Sequence, residues 1–285
     1  MKLPERFNYV EAYLTFRCNL GCDYCINKSD KLVRDRKELT AKQWAIALNR
    51  IDFGKTPLTL GGGEPTLHKG FYSLLAQLSP KINIDLLTNL QFDVNKFLIQ
   101  VAPGRFTLPP KPHYHSIRAS YHVGQMDQDE TVRKAKMLKD AGFNIGIFGV
   151  NHPHYINENM EMTAKSLEAG VFFYPKDFLG EVNGEMYGHF KYPEGVDGAE
   201  KEADCRTREL LIAPDGLVYR CHRDLYQADN PIGDIQDPDF KIEDKFRSCA
   251  NYGNCNPCDV KLKTNRFLGG MGCQVEIREK SGEHK

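Results

Sequence analysis

The sequence carries no excess of either charge. Lys plus Arg total 38 and Asp plus Glu total 38, so the formal net charge at pH 7 is zero. No polybasic face is advertised, and nucleic-acid binding by bulk charge is excluded. No apolar run reaches the roughly 18 residues that a membrane-spanning helix needs. The opening stretch MKLPERFNYVEAYLTF places Glu5 and Glu11 where a secretory signal requires an apolar segment. No export segment is visible, and a cytoplasmic location is expected. Internal repeats and low-complexity tracts are missing too. Cysteine is missing from the whole stretch between residues 26 and 204.

Outside that gap, cysteine is abundant. The nine are Cys18, Cys22, Cys25, Cys205, Cys221, Cys249, Cys255, Cys258 and Cys273. An odd count without an export signal argues against a disulfide framework, and clustered thiols in a reducing compartment read as metal or redox sites. The chain of 285 residues suggests one or two domains. A hydrophobic content of 41% and a mean hydropathy of −0.51 fit a globular chain rather than a disordered one.

Short apolar segments alternate with amphipathic ones. Strands are expected at 9–16, 57–60, 82–87, 115–121, 143–150 and 171–174. Helices are expected at 40–51, 69–78, 94–101, 129–141 and 157–169, the first capped by Thr40. Six strands with helices between them predict a parallel β/α architecture, and periodicity alone fits an open sheet or a partial barrel equally. After Lys176 the pattern breaks. Gly180, Gly184, Gly188, Pro193, Gly195 and Gly198 suggest a linker or irregular segment. A hairpin follows, with 209–213 and 217–220 flanking Pro214-Asp215-Gly216. The simplest division is 1–180 and a small cysteine-rich domain over 181–285.

The sharpest local signal is Cys18-Asn-Leu-Gly-Cys22-Asp-Tyr-Cys25, placed just after the first strand. Three thiolates on one loop can hold three irons of a [4Fe-4S] cube and leave the fourth iron open to a ligand. A zinc knuckle would need a fourth ligand nearby, and the nearest histidine is His68.

This CxxxCxxC, with aromatic Tyr24 before its last cysteine, resembles the radical S-adenosylmethionine (SAM) superfamily. The resemblance implies a partial (β/α)6 barrel and an open iron that binds the amino and carboxylate groups of SAM. It further implies reductive cleavage of SAM to a 5′-deoxyadenosyl radical that abstracts a hydrogen atom from substrate. Gly61-Gly62-Gly63-Glu64-Pro65 follows the second strand and is similar to the family's GGEP motif. There glycines expose backbone groups, and Glu64 can accept from an ammonium group. By the same resemblance Thr88, Asn89, Ser120 and His122 stand at strand ends where SAM or substrate would be met. Arg118 beside them suits a carboxylate, and 146–150 is similar to the segment packing by the adenine. His113 and His115 read equally well as surface histidines.

The tail supplies a second thiol cluster, which by itself suits structural zinc as well as iron–sulfur. Cys205, Gly216 and Cys221 match the opening of the SPASM or twitch extension found after some radical SAM barrels. That resemblance implies one auxiliary [4Fe-4S] cluster, with Cys205, Cys221, Cys255 and Cys258 as ligands. Cys249 and Cys273 are then spare. Cys249 is a candidate catalytic hydrogen-atom donor, of the kind family epimerases use, or alternatively a ligand or an inert thiol.

The resulting expectation is an enzyme that dehydrogenates or epimerises a small polar substrate such as a sugar, aminocyclitol or nucleotide, reduced by a flavodoxin or ferredoxin. The first strand begins near residue 8, which leaves no room for the amino-terminal recognition domain of many peptide-modifying members. Arg206, Arg208 and Arg223 could receive anionic groups, and His222 and Asp224 could face the same cleft. A peptide-modifying enzyme, a glycyl-radical activating enzyme and a metal-stapled scaffold remain open alternatives.

Overall fold

In a computed structural model of the chain, the described residues are 1–25, 36–106, 114–178, 180–188, 198, 201–253, 262–264, 271–273 and 275–280. The expected Cys255, Cys258 and His113 lie outside them.

Six strands lead the chain: β1 (Tyr9–Thr15), β2 (Leu58–Gly62), β3 (Ile84–Thr88), β4 (Ile117–Ser120), β5 (Ile145–Asn151) and β6 (Phe172–Asp177). Each pairs in parallel with the next. Between them lie α1 (Ala41–Asn49), α2 (Phe71–Gln77), α3 (Val94–Gln100), α4 (Gln128–Asp140) and α5 (Ile156–Glu168). The helix starts follow side-chain chemistry. Thr40 and Gln43 form a capping box at α1, and Asp93 and Asp127 accept from the first turns of α3 and α4.

The first three strands are buried on both faces over most of their length, as the interior of a parallel sheet requires, whereas β6 at the sheet edge is mostly exposed. Val10, Ala12, Leu14, Leu58, Leu60, Ile84, Leu86, Ile117, Ala119, Ile145 and Ile147 join Trp44, Leu74, Phe97 and Leu138 of the helices in one core. The alternate positions, Glu11, Thr59, Asp85 and Arg118, fall on the opposite, inner side of the curved sheet. This is the parallel α/β architecture of a partial barrel.

Past β6 the chain forms the hairpin β7 (Gly180–Val182) and β8 (Glu185–Tyr187). The glycine-rich segment expected as a linker is therefore partly ordered, because Asn183 and Gly184 both hold positive φ (53° and 82°), the combination a two-residue hairpin turn needs. Then come β9 (Lys201–Thr207), β10 (Glu209–Ile212), β11 (Leu217–Tyr219), α6 (His222–Gln227), β12 (Gly233–Asp234), β13 (Arg247–Tyr252), β14 (Leu262–Thr264), β15 (Met271–Cys273) and β16 (Val275–Glu279).

The 209–220 hairpin is present as β10–β11. Its place is specific: β10 runs parallel to β1, with Tyr9 opposite Glu209 and Ala12 opposite Ile212. The main sheet thus has the order β12-β11-β10-β1-β2-β3-β4-β5-β6. A second sheet, β13-β9-β16, carries Cys205 and Cys249. Residues beyond 180 therefore serve both the barrel sheet and the smaller one. Arg206 makes a two-pronged pair with Asp244 (2.7 and 2.8 Å), Arg6 also reaches Asp244 (3.0 Å), and Arg208 reaches Glu276 (3.5 Å). Arg206 and Arg208, expected as anion receivers, are paired with Asp244 and Glu276, and Arg6 ties the amino terminus to the same two carboxylates.

Candidate active site

The carboxyl ends of β1 and β2 are joined by close backbone approach. A Cβ at Gly61 would lie 2.1 Å from Glu11 Oε1, at Gly62 2.1 Å from the Thr15 carbonyl oxygen, and at Gly63 2.2 Å from that of Arg17. Gly62 also needs φ +132°. With no side chains in the way, Gly63 N–H donates to Thr15 O (2.8 Å) and Glu64 N–H to Arg17 O (2.8 Å). The triple glycine thus pins the residue that immediately precedes Cys18.

Glu64 is almost wholly buried, at 1% exposure. Its Oε1 accepts from Thr66 N (3.2 Å), Thr66 Oγ1 (2.6 Å) and Thr88 Oγ1 (2.9 Å), and its Oε2 accepts from Asn89 N (2.8 Å). Burial pushes this carboxyl above its ordinary range, against those four donors. The glutamate expected to meet an ammonium group spends most of its capacity tying β2 to β3. Asn89 in turn donates from Nδ2 to Asn19 Oδ1 (2.8 Å) and toward Cys18 Sγ (3.8 Å).

In the cysteine loop Cys18 is exposed, Cys22 buried and Cys25 intermediate. Gly21 N–H donates to Gln125 Oε1 (3.2 Å), and Cys25 N–H to Cys22 O (3.3 Å). The Tyr24 hydroxyl lies 3.2 Å from His122 Nδ1, and its ring stacks on His152 with centroids 6.1 Å apart. Burial pushes His122 down to about 4. A neutral ring carries one proton, and the Tyr24 hydroxyl can donate to a bare Nδ1 or accept from a protonated one. Tyr155 completes this aromatic wall. Ser120 ends β4 opposite Phe148 and is half-buried. In the 146–150 stretch a Cβ at Gly146 would meet the His115 ring at 2.5 Å. His115, whose Nδ1 lies 3.0 Å from Asn144 Oδ1, is therefore a packed residue and not a surface one.

Below the mouth the inner face is polar. Glu11, Thr59 and Asp85 stand in register across β1, β2 and β3. Arg118 pairs with Asp85 at 3.6 Å, Tyr114 donates to Asp85, and Tyr9 donates to Glu11 at 2.5 Å. The carboxylate that Arg118 meets here is Asp85. Glu11, Asp85 and Tyr114 escaped the sequence reading as site residues. The signal was there, since an acidic residue inside an otherwise apolar parallel strand has to be paired.

The second cluster forms where β9, β13 and α6 meet. Cys205, Cys221 and Cys249 line one small pocket, together with Arg220, Arg223, Asp224 and Asn251. A hydrogen bond from Cys205 is the main reason that the Cys249 thiol is pulled down to about 6. Arg220 bonds Asp224 (2.9 Å) and Ser248 O (2.8 Å), and Arg223 bonds Asp229 (2.6 Å) and Asn251 (3.0 Å). His222 lies 3.1 Å from Glu209. Cys273 belongs to β15.

A partial α/β barrel with a three-thiol loop at the end of its first strand defines a class, the cluster-dependent barrel enzymes. A profile described as the radical SAM superfamily matches residues 13–168, and the chain belongs to that superfamily. It is an enzyme whose cofactors are a [4Fe-4S] cluster and SAM. The chain is similar to GTP 3′,8-cyclase of Caulobacter vibrioides, with 32% identity over 88 residues that cover 30% of this chain and 25% of that one. It is also similar to PqqA peptide cyclase of Bradyrhizobium diazoefficiens, with 37% identity over 78 residues, 27% of this chain and 20% of that one. The matched stretches thus span a quarter or less of those relatives. SuiB of Streptococcus suis, solved bound to S-adenosylmethionine, shares the fold at a TM-score of 0.55 and 15% identity, over 82% of this chain and 64% of that one. Among the described residues no helix is long and apolar enough to cross a membrane.

Proposed function

We propose that this enzyme oxidises a small polar substrate, such as a sugar, aminocyclitol or nucleotide, by removing a hydrogen atom from carbon, and that a second cluster takes the remaining electron while the adjacent O–H or N–H releases its proton. Cys18, Cys22 and Cys25 would hold the first cluster. The donor set suits it: three thiols on one loop, with two N–H groups aimed at the Cys18 sulfur. When bound, cluster and SAM supply a 5′-deoxyadenosyl radical. The chain's own part is to place and shield. Tyr24, His122 and His152 wall one side of the mouth, the glycine run pins the backbone that leads into Cys18, and Ser120 borders the opening. The polar inner layer of Glu11, Thr59, Asp85 and Arg118 favours a hydrogen-bonding substrate over an apolar one.

The observation that carries oxidation over epimerisation is the position of Cys249. Its thiol shares a pocket with Cys205 and Cys221, so we assign it as a ligand of the auxiliary cluster in the 181–285 domain and not as the hydrogen donor first expected. A flavodoxin or ferredoxin would supply the starting electron, in the cytoplasm.

Anaerobic reconstitution tests this. The wild type should bind about eight irons per chain, from two cubes, and form one 5′-deoxyadenosine per oxidised product, with no solvent deuterium entering it. Cys249→Ala should lose roughly four irons. A variant that keeps all its iron, cleaves SAM and no longer turns over would restore the donor role and the epimerase reading.

A further inference from the structure

Asn89 is held from four directions. Its backbone N–H donates to Glu64 Oε2 (2.8 Å), its Oδ1 accepts from Gln91 N (3.0 Å), and its Nδ2 donates to Asn19 Oδ1 (2.8 Å) and toward Cys18 Sγ (3.8 Å). It is 4% exposed. The residue after it, Leu90, is fully buried and holds φ +57°, a left-handed conformation that a leucine adopts at a cost of about 1–3 kcal/mol. Three contacts maintain that turn. Leu90 N–H donates to Thr88 Oγ1 (3.1 Å), Lys134 Nζ donates to Leu90 O (3.0 Å), and the Leu90 side chain joins the main core. The strained turn redirects the chain at the end of β3 and presents the Asn89 carboxamide to the cysteine loop. A merely structural asparagine needs no such aim.

The chemistry of that contact is specific. A thiolate bound to an iron cube keeps lone pairs and gains negative charge when the cube is reduced. An N–H donor at the sulfur stabilises the reduced form more than the oxidised one and raises the reduction potential. Leu20 N–H already donates to Cys18 Sγ at 3.4 Å. Asn89 adds a second donor, from the turn that follows β3.

We infer that Asn89, clamped by Glu64, is a positioning residue that sets the reduction potential of the first cluster through its N–H bond to Cys18. Glu64 is then the strut of a relay Glu64–Asn89–Cys18, which couples the GGGEP motif to the ease with which the cluster accepts its electron. This rests on Cys18 being a cluster ligand, as proposed above.

The test uses the reconstituted full chain. The part of the electron-paramagnetic signal that changes on adding SAM reports the first cluster and separates it from any other. In Asn89→Leu, similar in size but without the donor, iron content should match the wild type. The ratio of reduced to oxidised first cluster at one fixed poise should fall about three- to tenfold, a tenfold fall being about 59 mV for one electron. Asn89→Gln, which keeps an N–H on a longer arm, should recover part of the loss, and Glu64→Gln should fall between. If Asn89→Leu does not fold, Asn89→Asp removes the donor with less change of shape. An unchanged ratio in a donor-less variant that retains its cluster overturns the inference, as does loss of the first cluster from both donor-less variants. A wild type with no SAM-responsive signal instead overturns the assignment of Cys18.

Discussion

A Cβ on Gly63 would lie 2.2 Å from the carbonyl oxygen of Arg17 and 2.6 Å from its carbon. The obstacle is backbone just past the end of β1 that is itself hydrogen-bonded to the same loop, so neither side yields cheaply. Gly63→Ala should cost about 1–3 kcal/mol through overpacking and push the segment leading into Cys18 out of place. Thermal unfolding and iron content measure the two effects. Full iron with an unchanged melting temperature would show that the close approach is not needed.

Arg118 and Asp85 form a buried pair on the inner face of the barrel. Arg118→Met should destabilise the protein by about 3–5 kcal/mol, because it removes the cation that pairs with buried Asp85. Adding Asp85→Asn should restore a large part of that. A double-mutant cycle in denaturant reads the coupling, and simple additivity would mean that the inner polar layer is not held by this pair.

His122 couples stability to acid. Its folded-state value of about 4 lies below its ordinary value of 6.5, and burial is the cause. The unfolded chain therefore binds the proton more readily, so this contribution is complete above about pH 6.5 and is lost as pH falls toward 4. The loss runs at up to about 1.4 kcal/mol per pH unit. His122→Phe should flatten that part of the stability curve. An equally steep curve in the variant would place the acid sensitivity elsewhere.

Arg220 braces the second pocket by joining buried Asp224, on α6, to the Ser248 carbonyl on β13. Arg220→Gln leaves the Asp224 charge without its main partner and frees β13. The expected result is loss of roughly four irons, with SAM cleavage by the first cluster retained. Unaltered iron in that variant would mean that β13 is held in place without this brace.

Much of this architecture is legible along the chain. The six strands and the five helices between them follow from local periodicity, and helix starts at Thr40, Asp93 and Asp127 follow from capping chemistry. The cysteine triplet and the triple glycine are each contained in one short loop, so their spacing alone carries their meaning. Contacts between distant segments are different. Nothing near Cys249 in sequence distinguishes a free thiol from one beside Cys205, because that depends on β13 pairing with β9. Asn89 reads as a strand-end polar residue until the turn at Leu90 directs it to Cys18. Arg206 and Arg208 read as anion receivers until Asp244 and Glu276 arrive beside them.

By itself, then, the amino-acid order determined the alternation of strands and helices, the three-thiol loop and the triple glycine, since each depends on residues close in sequence. Only the tertiary structure decided that the glycines pack on the backbone of Thr15 and Arg17, that β10 completes the sheet beside β1, that Asp85 pairs with Arg118 while Tyr9 bonds Glu11, and which thiols share the second pocket. The physical reason is that edge pairing and charge burial depend on which surfaces remain unsatisfied once the local elements have formed. That depends on the whole packed chain.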